Sequence, residues 1–186
     1  MSDQSFVIAF PYLPASEMLR ASETIISDQL SPCVLSQENF GYAPGVNFIE
    51  ATVFDEERVD IINCNFADFS SKLQVNGLEV LINRQCVANA SGDWQFMQCP
   101  SCSEMCSYLD EFSVVLDNWL AKTGNELLSC NVCNIATSVS HWGFLNDMVL
   151  GNLILQFWNW PEISKEFSQN LSQLIGYEAR TISCHL

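Results

Sequence analysis

Four cysteines in two short pairs carry the strongest chemical signal in the sequence. Cys99-Pro-Ser-Cys102 and Cys130-Asn-Val-Cys133 each hold two residues between thiols, and 27 residues separate the pairs. Two intervening residues let one tight turn aim both sulfurs at a common ion, and a second such turn completes a tetrahedral thiolate shell. Four protein thiolates leave no position for water or substrate, so the set predicts a closed, structural zinc site rather than a catalytic one. Cys106, four residues past Cys102, and His141, beyond the second pair, are two further side chains that could compete for a place in that shell.

The paired spacing resembles a zinc ribbon over about 40 residues, with a spacer longer than the usual 15 to 20. A strong helical pattern fills it. Cys99-Pro-Ser-Cys102 taken alone also resembles the Cys-Pro-x-Cys of glutaredoxin-like proteins, which implies a thiol oxidoreductase using Cys99 and Cys102. That motif belongs at a helix start in a βαβ unit, and the second CxxC then needs a reason of its own. A third reading leaves all four as reduced core thiols.

Other catalytic constellations fail on their residues. A zinc deaminase needs H-x-E followed by P-C-x-x-C, and no histidine precedes Cys99. HExxH, the phosphate-binding Gly-rich loops and CxxCH are all missing, and His141 and His185 are the only histidines, which leaves an unrecognised hydrolase with His141 as a base as the remaining enzyme reading. Cys33, Cys64, Cys86 and Cys184 fall in or near apolar strands, where a thiol behaves as a small hydrophobe.

The elements that must position the four thiols follow from hydrophobic period. Ser5 to Phe10 reads as a buried strand, and Ala15 to Leu30 as an amphipathic helix with Met18, Leu19, Ala21, Ile25, Ile26 and Leu30 on one stripe. Residues 31–45 read as loop. Strands are predicted at Val46–Phe54, Val59–Phe66 and Leu78–Ala88, with an acidic group, Asp55, Glu56, Glu57 and Asp60, at the turn between the first two. Residues 107–121 carry Tyr108, Leu109, Phe112, Val115, Leu116, Trp119 and Leu120 at helical intervals between the cysteine pairs. A strand at Leu153–Trp158, a helix opened by Pro161 with Ile163, Phe167, Leu171 and Leu174 on one face and stopped by Gly176, and a strand at Tyr177–Cys184 complete the chain. The expected fold is α+β: a mixed or antiparallel sheet with flanking helices, whose core is formed by 1–93 and 144–186, and a four-cysteine zinc-ribbon-like insertion at 94–143 carrying one helix.

Charge narrows the partners. The 186 residues include 22 acids and 7 Lys or Arg, a net charge of −15, and the basic residues are scattered. Nucleic-acid binding by counterion release needs clustered cations, so that class is excluded. Four thiolates with one Zn²⁺ add −2, which makes the 94–143 region, with Lys122 as its sole Lys or Arg, still more anionic. The N-terminus lacks the positive region of an export signal, the longest apolar stretch falls short of a membrane span, and unpaired cysteines suit a reducing compartment, so a cytoplasmic protein is expected.

An acidic face without a catalytic motif predicts a protein that binds a basic protein partner, through Asp55, Glu56, Glu57, Asp60 and the aromatic Trp160. Phe157-Trp-Asn-Trp-Pro161 ahead of a final helix and strand resembles small bacterial toxin-immunity proteins, mainly over 94–186, and the resemblance implies neutralisation of a cognate basic toxin without transferring any functional residue. A zinc-ribbon adaptor of a larger complex is the alternative within the same binding class.

Overall fold

The computed structural model describes residues 4–29, 42, 51–52, 77–90, 96–107, 110–145, 148–160 and 162–185. It is an α+β fold. Among these residues a four-stranded antiparallel sheet is built from β1 (Gln4–Phe10), β2 (Gly77–Ala88), the long strand Met148–Trp158 and the last strand Arg180–His185. The two later strands are numbered β7 and β8, because four short strands, β3 (Phe96–Gln98), β4 (Met105–Ser107), β5 (Leu127–Ser129) and β6 (Ala136–Ser138), intervene in the cysteine-bearing segment. The sheet order is β2-β7-β1-β8.

β1 and β7 occupy the centre, which is why both read as almost continuous apolar runs. Alternation along β1 sends Ile8 and Phe10 into one cluster and Val7 and Ala9 into another. The first cluster includes Leu153, Leu155 and Phe157 of β7 and is covered by α1 (Met18–Thr24) and by a later helix, Lys165–Ile175 (α3). The second includes Val149, Ile154, Ile182 and Cys184. β7 starts at Met148, five residues before the predicted strand, because Met148, Val149 and Leu150 pair with Ala88, Val87 and Cys86 of β2. The polar residues of this strand are bonded internally: Asn152 Nδ2 donates to the Leu13 carbonyl at 2.7 Å and Gln156 Nε2 to Ser5 Oγ at 2.9 Å. Buried amides satisfied in this way carry little of the penalty that an apolar reading assigns to them.

The helices differ from their predicted limits for local reasons. α1 runs on into a π-helical turn, Ile25–Gln29; its buried face is Met18, Ala21, Ser22 and Ile25, and Leu19 of the expected stripe falls beside that face and is exposed. α3 begins at Lys165 rather than at Pro161. Ile163 is used instead in a bridge to Thr52, the Ser164 N–H donates to the Ala51 carbonyl at 2.8 Å, and Ser164 Oγ caps the helix by accepting from the Phe167 N–H at 3.1 Å. Phe167 and Leu171 are buried but Leu174 is exposed, and Gly176, with φ 80°, ends the helix as expected. β8 starts at Arg180, three residues past the predicted onset. The expected strands at 46–54 and 59–66 lie outside the described residues, apart from Ala51 and Thr52, as do Cys33, Cys64 and the acidic group Asp55, Glu56, Glu57 and Asp60. No helix among the described residues is long and apolar enough to cross a membrane.

Candidate metal centre

The cysteine pairs sit in the turns of two small antiparallel hairpins. β3 (Phe96–Gln98) and β4 (Met105–Ser107) flank the first pair; β5 (Leu127–Ser129) and β6 (Ala136–Ser138) flank the second. The helix between them, α2 (Phe112–Ala121), buries Phe112, Val115 and Trp119. Its start lies five residues after the one read from the sequence. The hairpins, α2 and the end of the sheet share one core, in which Met97, Leu128, Val139, Trp142, Phe144, Met148 and Leu150 surround the buried cysteines.

Both turns have the same construction. The first cysteine N–H donates to the carbonyl five residues on, Cys99 to Glu104 at 3.0 Å and Cys130 to Ile135 at 3.1 Å. The first cysteine carbonyl accepts from the residue four on, Ser103 at 2.9 Å and Asn134 at 2.9 Å. Those two residues take left-handed conformations, with φ 63° and 58°. A glycine is the easy choice there; Asn134 tolerates the geometry, and Ser103 adopts it under greater steric demand. Backbone N–H groups also point at sulfur, Ser101 N to Cys99 Sγ at 3.4 Å and Val132 N to Cys130 Sγ at 3.3 Å.

The hairpins bring Cys99, Cys102, Cys130 and Cys133 together, with all four sulfurs within 4.8 Å of one another. Cys99 and Cys133 are 3.8 Å apart, as are Cys102 and Cys130. Bonds of about 2.3 Å from a tetrahedral Zn²⁺ would separate its sulfurs by about 3.8 Å, whereas a disulfide would need about 2.05 Å. The set is therefore spaced for an ion and not for a covalent bridge. Cys99 and Cys130 are buried, and Cys102 and Cys133 are half-buried. The Cys133 N–H, then the Val132 N–H, hold the Cys130 thiol down to about 6 against the opposing effect of burial. Thiolate, the form that binds metal, is thus favoured by backbone dipoles at Cys130 alone; at Cys102 a backbone hydrogen bond at Glu104 is outweighed by burial and the neighbouring thiols, which push it up to about 12, and Cys133 is raised as well.

Other sulfurs differ. Burial pushes Cys86 up to about 11 and raises Cys184, so neither is an activated nucleophile. Cys99 and Cys102 lie in a hairpin turn and not at a helix start, which removes the structural basis of the glutaredoxin-like reading. His141 is outside the thiol group; its ring rests on Tyr12, with centroids 4.4 Å apart, and burial followed by the Arg180 charge lowers its pKa. Trp160 packs edge-on against Phe157 at 5.1 Å and lines a pocket of about 290 Å³ with Gln4, Ser5, Phe6, Glu162, Ser183 and Cys184.

Two arginines that carried no signal in the sequence fasten this module to the sheet. A register shift between Ile82 and Gln85 bulges β2, with Asn83 at φ 101°, and re-aims the next side chain. Arg84 then donates to the Trp119 carbonyl at 2.8 Å and to Glu126 Oε1 at 2.6 Å, with its guanidinium over the Trp119 ring at 5.3 Å. Lys122 Nζ reaches Asn83 Oδ1 at 3.4 Å from the other side. A cation at the C-terminal end of α2 also meets the negative end of its dipole. From β8, Arg180 donates to the carbonyls of Trp142, His141 (2.6 Å) and Ser140 (3.5 Å) and to Tyr12 Oη (3.0 Å), with its charge over the Tyr12 ring.

Comparison with known proteins adds no name: no family model matches the sequence, and neither a curated protein nor a solved structure is significantly similar to it.

Proposed function

We propose that the chain is a non-catalytic protein-binding protein braced by a structural zinc ion, and that its partner is a basic protein of the kind an immunity protein neutralises. The observation that carries this reading is the closeness of the four thiols, which together would fill the tetrahedral shell of a zinc ion and leave no coordination site for chemistry. Its surroundings point the same way. Met105 beside the first turn and Val132 and Ile135 beside the second are large apolar side chains exposed to solvent, next to the exposed Glu104. Arg84 and Arg180 meanwhile direct their charge inward. An apolar surface in an acidic field suits a cationic protein partner and repels nucleic acid.

Elemental analysis is expected to find one zinc per chain, and chelation to unfold the 94–143 module, since binding energy at such a site is folding energy. The cognate basic protein, sought first in the neighbouring gene, is expected to form a complex whose association rate falls steeply with salt. A metal-free protein with accessible Cys99 and Cys102 that reduces disulfides would overturn the reading in favour of an oxidoreductase. A zinc protein whose tight partner is an uncharged or acidic component of a larger assembly would overturn the toxin assignment alone.

A further inference from the structure

We propose that Cys106 is a reserve ligand of the metal centre, able to take the place of Cys102 so that the ion stays in a four-thiolate shell. This rests on the zinc reading above and extends it to a fifth residue. Cys106 lies on β4 opposite Met97, on the buried side of the first hairpin. Its sulfur is 3.8 Å from that of Cys130, the same separation that Cys102 has from Cys130. Cys130 therefore meets two thiols of the first hairpin at the distance expected between neighbouring ligands.

Exposure distinguishes the two. Cys102 is half-buried at the outer side of the site, whereas Cys106 is closed in with Cys99 and Cys130 on the core side. A tetrahedral ion accepts only four sulfurs. Exchange thus needs one Zn–S bond to break at Cys102, whose sulfur takes a proton from water, and one to form at Cys106, whose S–H proton passes to solvent. No electrons change hands and the charge of the centre is unaltered. The ion shifts toward the core, and the freed Cys102 thiol is left where solvent reaches it.

Zinc content and the cobalt-substituted spectrum of the full chain test this directly. The wild type and Cys106→Ala are each expected to carry one ion with the thiolate-to-cobalt charge-transfer intensity of four sulfurs. Cys102→Ser is expected to keep both the ion and the four-sulfur intensity, and Cys102→Ser/Cys106→Ala to lose the ion to a chelator that leaves the single variants loaded. Cys106→Val serves in place of alanine should the cavity destabilise the core. A Cys102→Ser protein that holds no ion, or holds it with three-sulfur intensity, would overturn the proposal, as would a double variant that retains metal as well as Cys102→Ser does. A wild type that binds neither zinc nor cobalt is a separate result and removes the metal reading itself.

Discussion

Replacing Arg180 with methionine tests how much of the hold between the cysteine-bearing module and the sheet comes from this side chain, beside Arg84. Methionine keeps most of the aliphatic stem and removes the fork that reaches the His141 and Trp142 carbonyls and Tyr12 Oη. Each hydrogen bond from a charged donor contributes about 1.5–3 kcal/mol, and the charge over the Tyr12 ring about 0.5–1 kcal/mol. These contributions share one guanidinium and are not additive. Arg180 is also half-buried, so water recovers part of the loss, and about 3–4 kcal/mol is expected to remain. The penalty stays large because Ser140 and Trp142 are buried and their carbonyls lose a partner that solvent does not readily replace.

The assay is urea unfolding of the metal-loaded protein, with hydrogen exchange at residues 139–143 as a local readout. Arg180→Met should lower the midpoint with little change in slope and speed exchange in that segment. Arg180→Lys, a point charge on a similar stem, should lose roughly half as much. A loss below about 1 kcal/mol, the scale of an exposed ion pair, or equal losses for methionine and lysine, would refute the fork as the fastening.

Two further outcomes follow from local chemistry. His141 has its pKa held below 6.5 by burial first and Arg180 second, so the unfolded chain takes up its proton before the folded one does. The stability tied to His141 is therefore complete above about pH 6.5 and is lost as pH falls from there toward its lowered folded value; urea midpoints over that range should drop less in His141→Gln than in the wild type. Ser164→Ala removes the cap of α3 and should cost about 1 kcal/mol, read from thermal or urea unfolding, and Ser164→Asp should restore most of it.

Chemistry was more legible in the sequence than placement. The four ligand candidates could be read from spacing alone because a two-residue gap between thiols has few other uses, and the α+β class followed from short apolar runs alternating with helical stripes. The first half of β7 was hidden because Asn152 looks like a surface residue until its partner, the Leu13 carbonyl, is known, and Gln156 within the predicted strand likewise finds Ser5 Oγ. Those partners lie far away in sequence, where no local pattern reaches. The same is true of Arg84 and Arg180. A bulge with Asn83 at positive φ decides where Arg84 points, and nothing in the surrounding residues announces it. Leu19 and Leu174 were misplaced for a different reason: the apolar stripe was drawn wider than the buried face, Met18, Ala21, Ser22 and Ile25, in one helix and was carried to the exposed end of the other.

The position of β1 bears on how the chain assembles during synthesis. Its two neighbours are β7 and β8, so that Ser5 faces Trp158 on one side and Cys184 on the other. A nascent chain must therefore carry β1 without its sheet neighbours until residues 148–158 have left the ribosome. The hairpins of the metal module face no such delay, since β3 meets β4 and β5 meets β6 within a few residues. Local contacts close quickly and distant ones slowly. The cysteine-bearing half can thus order first around Met148 and Leu150, at the root of β7, whose later residues Leu153–Trp158 then pair with the waiting strand to complete the sheet.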